Sequence, residues 1–193
     1  MLTIVALFAL LAAPALAQEP HLLFHAGFDA GLDADFAAGD GTATVREVVP
    51  GQTDRPALPD IERTDGVVGS AIVTEMRYVE YAGGANIKAE AGTVELWVKP
   101  LDWTGDDDLF HVFFTTSKEP GWLILYKYLR TEADTGISRS LAFYVQGDPG
   151  EERLTRQAVP YTHVSWTPGI WHHLAGVWEK GRAALYVDGA MVA

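Results

Sequence analysis

The chain has 193 residues, no cysteine and a formal net charge of −12. That length suits a single all-β domain, which buries roughly 70% of its unfolded surface and needs no staple to hold it. A surface this acidic repels nucleic acid and anionic lipid; it suits calcium, neutral glycans or basic partners, or serves solubility alone.

Residues 1–17 carry no charged side chain and end on Ala15-Leu16-Ala17, a small-x-small cleavage pattern ahead of Gln18. The apolar run is short for a bilayer span. It reads as a secretory signal peptide, although no Lys or Arg marks its n-region; a membrane anchor or buried helix is the other reading. Residues 18–193 then form the mature domain, secreted or held at the cell surface or in the periplasm. No later segment is apolar enough to insert into a membrane. An exported domain without cysteine relies on its core alone.

Short runs rich in aromatic and β-branched residues follow: Leu22–Phe28, Thr42–Val49, Ala71–Val73, Tyr78–Tyr81, Thr93–Val98, Leu109–Thr116, Trp122–Tyr128, Leu141–Val145, Thr162–Trp166, Trp171–Trp178 and Ala183–Val187. Gly and Pro punctuate them, as at Pro50-Gly51, Gly83-Gly84, Pro120-Gly121 and Pro168-Gly169. Helical periodicity is absent after the leader. Many short strands with regular turns predict an all-β, two-sheet antiparallel β-sandwich or jelly roll. Pro50–Asp65 and Gly147–Pro160 are polar and read as long loops over one end of it. The expected core is Phe24, Phe28, Val94, Leu96, Trp97, Val98, Phe113, Leu123, Leu125, Phe143, Val145, Leu174, Val177, Leu185 and Val187.

Four carboxylates, Asp29, Asp33, Asp35 and Asp40, crowd the segment after the first strand. Calcium takes six to eight oxygen ligands, so they form a candidate Ca2+ site, although Gly31 and the missing closing Glu exclude an EF-hand. The other reading is a solvated loop whose Asp residues cap turns. Trp103 stands beside Asp106, Asp107 and Asp108. A ring next to carboxylates can stack on a sugar while the acids accept its hydroxyls; alternatively this is a charged hairpin tip with Trp103 folded onto the sandwich.

The adjacent pair His172-His173 points to opposite faces of a strand and cannot easily share a metal. His111 and His163 read as structural. Glycoside hydrolysis by retention needs two carboxylates about 5 Å apart. Glu75 and Glu80 fall on opposite faces, Glu95 stands alone in its strand, and Glu132-Ala133-Asp134-Thr135-Gly136-Ile137 is turn-like. The chain also lacks a Gly-x-Ser-x-Gly elbow and a cysteine nucleophile. No enzyme is expected.

The last stretch is a meander. Trp171–Trp178 and Ala183–Val187 flank a short turn, and Asp188-Gly189 starts another, in which both central residues require positive φ. Trp171-His172-His173-Leu174-Ala175, Gly181 and Leu185-Tyr186-Val187-Asp188-Gly189 resemble the late strands of laminin G-like, or concanavalin A-like lectin/glucanase, jelly-roll domains. Gly92–Pro100 resembles that family's middle strand, and Leu22–Asp29 is similar to its opening strand. The resemblance spans roughly residues 21–193. It implies a non-catalytic recognition module for extracellular glycans or proteins, a structural or adhesive spacer domain of a larger surface protein, or, less in keeping with the acids, a glycoside hydrolase. Similar domains continue with one more strand beside the opening one. Only Ala190-Met191-Val192-Ala193 follow the last turn, so the domain is expected to be truncated at its C-terminus.

Overall fold

The computed structural model describes residues 21–51, 55–116, 122–146, 161–179 and 182–193. The leader at 1–17 and the whole of the Gly147–Pro160 loop lie outside the described residues. These form fifteen strands and one short 3-10 turn, and no helix among them is long and apolar enough to cross a membrane.

Seven short strands come first. β1 (Phe24–His25) pairs with β2 (Phe36–Ala37). β3 (Thr44–Glu47) lies between β4 (Ala57–Leu58) and β7 (Arg77–Glu80), while β5 (Arg63–Asp65) pairs with β6 (Ser70–Ile72). Two larger antiparallel sheets follow. One has the order β12 (Tyr161–Thr162), β11 (Ser138–Gln146), β10 (Trp122–Thr131), β9 (His111–Thr115). The other runs β15 (Ala190–Met191), β14 (Arg182–Val187), β13 (His172–Glu179), β8 (Ala91–Val98).

Side chains alternate across a strand, so each sheet gives one face to the core. Leu123, Leu125, Leu141 and Phe143 from the first sheet meet Leu174, Trp178 and Leu185 from the second. Gly176 leaves room for that contact: a Cβ there would lie 2.8 Å from the Phe143 ring. The Asp188-Gly189 hairpin has the expected handedness, with φ of 50° and 81°, and Val187 pairs directly with Ala190.

Three expectations change. Trp97 is not core but 51% exposed. β8 buries alternate residues, and Val94, Leu96 and Val98 take the inward parity, which leaves Trp97 and Glu95 outside. Phe28 does not extend the first strand, because its φ of 65° turns the chain out of the β region. The segment read as a loop over Pro50–Asp65 contains β4 and β5, pairings too short to show an alternating pattern. Of the remaining expected core residues, Leu123, Leu125, Phe143, Leu174 and Leu185 are fully enclosed, and most of the others pack half-buried against them.

These placements separate two aromatic truncations. Phe143→Ala should cost roughly 3–5 kcal/mol on urea unfolding, as for a fully buried ring. Trp97→Ala should cost about 1 kcal/mol, since its ring is already half in water. Equal losses would mean that β8 is out of register.

Candidate functional site

The site is built by the parity of β10. Leu123, Leu125 and Lys127 share the inward face, while Ile124, Tyr126 and Tyr128 share the outward one. Lys127 is therefore carried into the interior, where it is 0% exposed. A buried ammonium is tolerable only when paired and hydrogen-bonded. Its Nζ forms an ion pair with the Asp107 carboxylate and donates to the carbonyls of Asp107 (2.5 Å) and Leu109 (3.4 Å).

Asp107 is held in turn by backbone amides: Thr104 donates to Oδ2 at 2.9 Å and Leu109 to Oδ1 at 3.1 Å. Burial opposes its ionisation, but the Lys127 ammonium and these two amides outweigh it and keep the carboxyl below the usual range. Gly105 allows this loop to sit close, since a Cβ there would fall 1.7 Å from the Val164 carbonyl oxygen.

Fastening residues 107–109 to β10 sets the position of the next residue, Phe110. Its ring lies on the outer face, 5.3 Å from Tyr126 and 5.7 Å from Tyr128 between centroids. Phe110 and Tyr128 are exposed, and Tyr126 is half-buried. Burial pushes the Tyr126 phenol above its ordinary pKa. Tyr144, across from Ile124, extends the row and donates to Gln146 Oε1 at 3.2 Å. Offset and edge-on rings with polar rims make a surface that is apolar and still able to hydrogen-bond.

The two expected clusters look different. Trp103 is only 9% exposed; its ring stacks on His111 at 4.2 Å and packs near Phe113 and Trp166. It therefore has no open face for a sugar. Asp106, Asp107 and Asp108 do not act together: Asp107 anchors Lys127, Asp106 faces His163 at 3.2 Å, and Asp108 is exposed.

In the other cluster each carboxylate accepts a backbone amide: Asp29 from Ser70, Asp33 from Ala43, Asp35 from Gly27 and Asp40 from Thr42. The Thr42 amide and then its hydroxyl keep the Asp40 carboxyl below its usual pKa. Among the described residues no three acidic or histidine side chains converge as a metal site would require. Asp33 and Asp35, with Asp60 and Arg63, line an open groove of about 850 Å³. The charge there is felt nearby: burial, and then Asp33 and Asp35, push Tyr81 up to about 12.

The histidine pair splits as its parity requires. His172 stacks on Trp166 in the interior at 4.7 Å, and its Nδ1 lies 2.9 Å from Asp188 Oδ2. His173 lies on the outer face against Trp97. Of the carboxylates weighed for catalysis, Glu132 occupies the β10–β11 turn, 3.3 Å from Arg139, and Glu80 pairs with Arg46. Sequence reasoning missed Lys127 and the Phe110–Tyr126–Tyr128 row. The signal was present: Leu123, Leu125 and Lys127 share one parity, and Tyr126 and Tyr128 share the other.

Residues 74–193 match the family model described as the concanavalin A-like lectin/glucanases superfamily. No curated protein and no solved structure matches the chain.

Two outcomes follow from the Lys127 contacts. Asp107→Asn leaves a buried ammonium without its counter-ion and should cost roughly 3–5 kcal/mol in denaturant unfolding. A loss under 1 kcal/mol would mean that Lys127 reaches water. The second concerns pH. Burial, and then the Lys127 charge, hold His111 below the ordinary imidazole value of 6.5. The fold thus favours neutral His111, and its contribution is complete above 6.5 and falls as pH drops through the lower folded value. Stability should decline below about pH 6.5, where the unfolded chain takes up the proton first. His111→Phe should flatten that decline, and an unchanged profile would place the titrating group elsewhere.

Proposed function

The chain belongs to the concanavalin A-like lectin/glucanases superfamily, and from that premise we propose that it is a secreted, non-catalytic recognition module that binds a neutral glycan on the outer face of the β9–β12 sheet. The observation that carries this reading is the Phe110–Tyr126–Tyr128 row, in which Phe110 and Tyr128 are exposed and Tyr126 is half-buried, with Lys127 on the inner side of the same strand. The faces of such rings match the C–H faces of pyranoses, and the phenol hydroxyls can bond their oxygens. The net charge of −12 disfavours a polyanionic glycan.

The same face supports binding without cleavage. Glycoside hydrolysis needs an acid and a second carboxylate flanking the bond, about 5 Å apart for retention and roughly 6.5–9.5 Å for inversion. β9, β10 and β11 contain neither Asp nor Glu. Glu132, at the end of β10, is occupied by Arg139 and by the Thr135 hydroxyl at 3.0 Å. Export through the 1–17 leader would bring the domain to extracellular polysaccharides.

Calorimetry of the mature chain against neutral hexasaccharides derived from β-glucan, xylan and mannan should find at least one binder. Tyr126→Ala should weaken it about tenfold, the loss of one stacking contact worth about 1.4 kcal/mol. No reducing ends should accumulate. Unchanged affinity in Tyr126→Ala, or turnover of any of these sugars, would contradict the reading.

A further inference from the structure

The opposite face of the sandwich holds a large exposed aromatic that the β9–β12 surface does not use. Trp97 is half exposed although its neighbours Leu96 and Val98 pack into the core. Its cross-strand partner is His173, and the two rings lie 5.0 Å apart at 53°. His173 therefore props one side of the indole and fixes its orientation. His173 Nε2 also lies 3.7 Å from the Glu95 carboxylate, two residues along β8 on the same face. Beyond Ala175, which pairs with both Glu95 and Tyr186, the face continues to Tyr186 and then Met191.

An oriented, solvent-facing indole beside an exposed carboxylate and an imidazole is the chemistry that holds a sugar: stacking on the ring, with hydroxyls donating to the acid. The surface suits a protein interface less well. Charged groups are depleted at the centre of such interfaces, whereas the exposed Glu95 carboxylate stands at the centre of this one. Lys99, the next residue of this parity, has its Nζ over the Trp171 ring at 4.8 Å, and Glu95 would repel an anionic sugar.

We propose that this face is a second binding site for a neutral glycan, centred on Trp97 with Glu95 and His173 beside it, which would let one chain engage two sugar chains and bridge them. The proposal rests on the recognition reading for the β9–β12 face, and the experiment separates the two. The intact mature chain is titrated by calorimetry with a neutral hexasaccharide that it binds, alongside Trp97→Ala, Glu95→Gln and Tyr126→Ala. Two sites are expected in the parent. Trp97→Ala should lose one of them and the ability to crosslink the parent polysaccharide. Glu95→Gln, which disturbs the fold least, should weaken that same site several-fold. A single site that survives Trp97→Ala and is lost in Tyr126→Ala would overturn this proposal and leave the first reading intact. A single site lost in Trp97→Ala and kept in Tyr126→Ala would support the Trp97 site, overturning the first reading and the bridging. No binding to any neutral sugar would overturn both.

Discussion

The buried ion pair between Lys127 and Asp107 is the constraint on which the arrangement of the first face depends. An ammonium taken wholly out of water can be stable only where its donors are met, and here they are met by Asp107 and two carbonyls of the 107–109 segment. That requirement draws a surface loop onto the inner side of β10. Trp103, a few residues earlier on the same loop, is pulled in with it and closes over Lys127 at 5.8 Å from ring centroid to Nζ. The ring then stacks on His111 and packs near Trp166, which stacks on His172. One cation thus organises an aromatic interior on one side of β10 and aims Phe110 to the other side.

The same interior carries a polar cost. Two imidazole nitrogens in it, Nε2 of His111 and of His172, are buried without a hydrogen-bond partner among the described residues. At His111 a proton added to Nε2 would bring charge into a desolvated site next to Lys127. The His172 ring is held at Nδ1, 2.9 Å from Asp188 Oδ2, and the His173 amide donates to the other Asp188 oxygen at 2.8 Å. The hairpin turn that the Asp-Gly pair dictates thereby also secures the start of β13.

Much of the architecture could be read directly from residues. The Asp188-Gly189 turn, the hairpin of β13 and β14 and the long apolar strands of the two large sheets follow from composition and turn chemistry, and the family resemblance, read over roughly residues 21–193, is matched over residues 74–193. What sequence reasoning missed has physical causes. Leu96, Trp97 and Val98 are all apolar, and composition cannot say which of three consecutive residues faces inward; Gly92 and Gly176, small enough to lie under rings, settle the parity. β2, β4 and β5 pair over only two or three positions each, so no periodicity could announce them. Trp103 beside three aspartates resembles a ligand platform because local sequence does not reveal that Lys127, twenty residues later, claims the middle carboxylate. Asp29, Asp33, Asp35 and Asp40 are close in sequence, but their backbone partners are spread from Gly27 to Ser70.

The central claim is that an aromatic row fixed by Lys127 contacts a neutral glycan. It is tested most directly by aromatic and amide NMR spectra of the mature chain during titration with a neutral hexasaccharide that it binds. The account predicts perturbations at Phe110, Tyr126 and Tyr128, with little change at Asp29, Asp33, Asp35 and Asp40. Perturbations confined to the acidic segment, with the three rings unmoved, would contradict it.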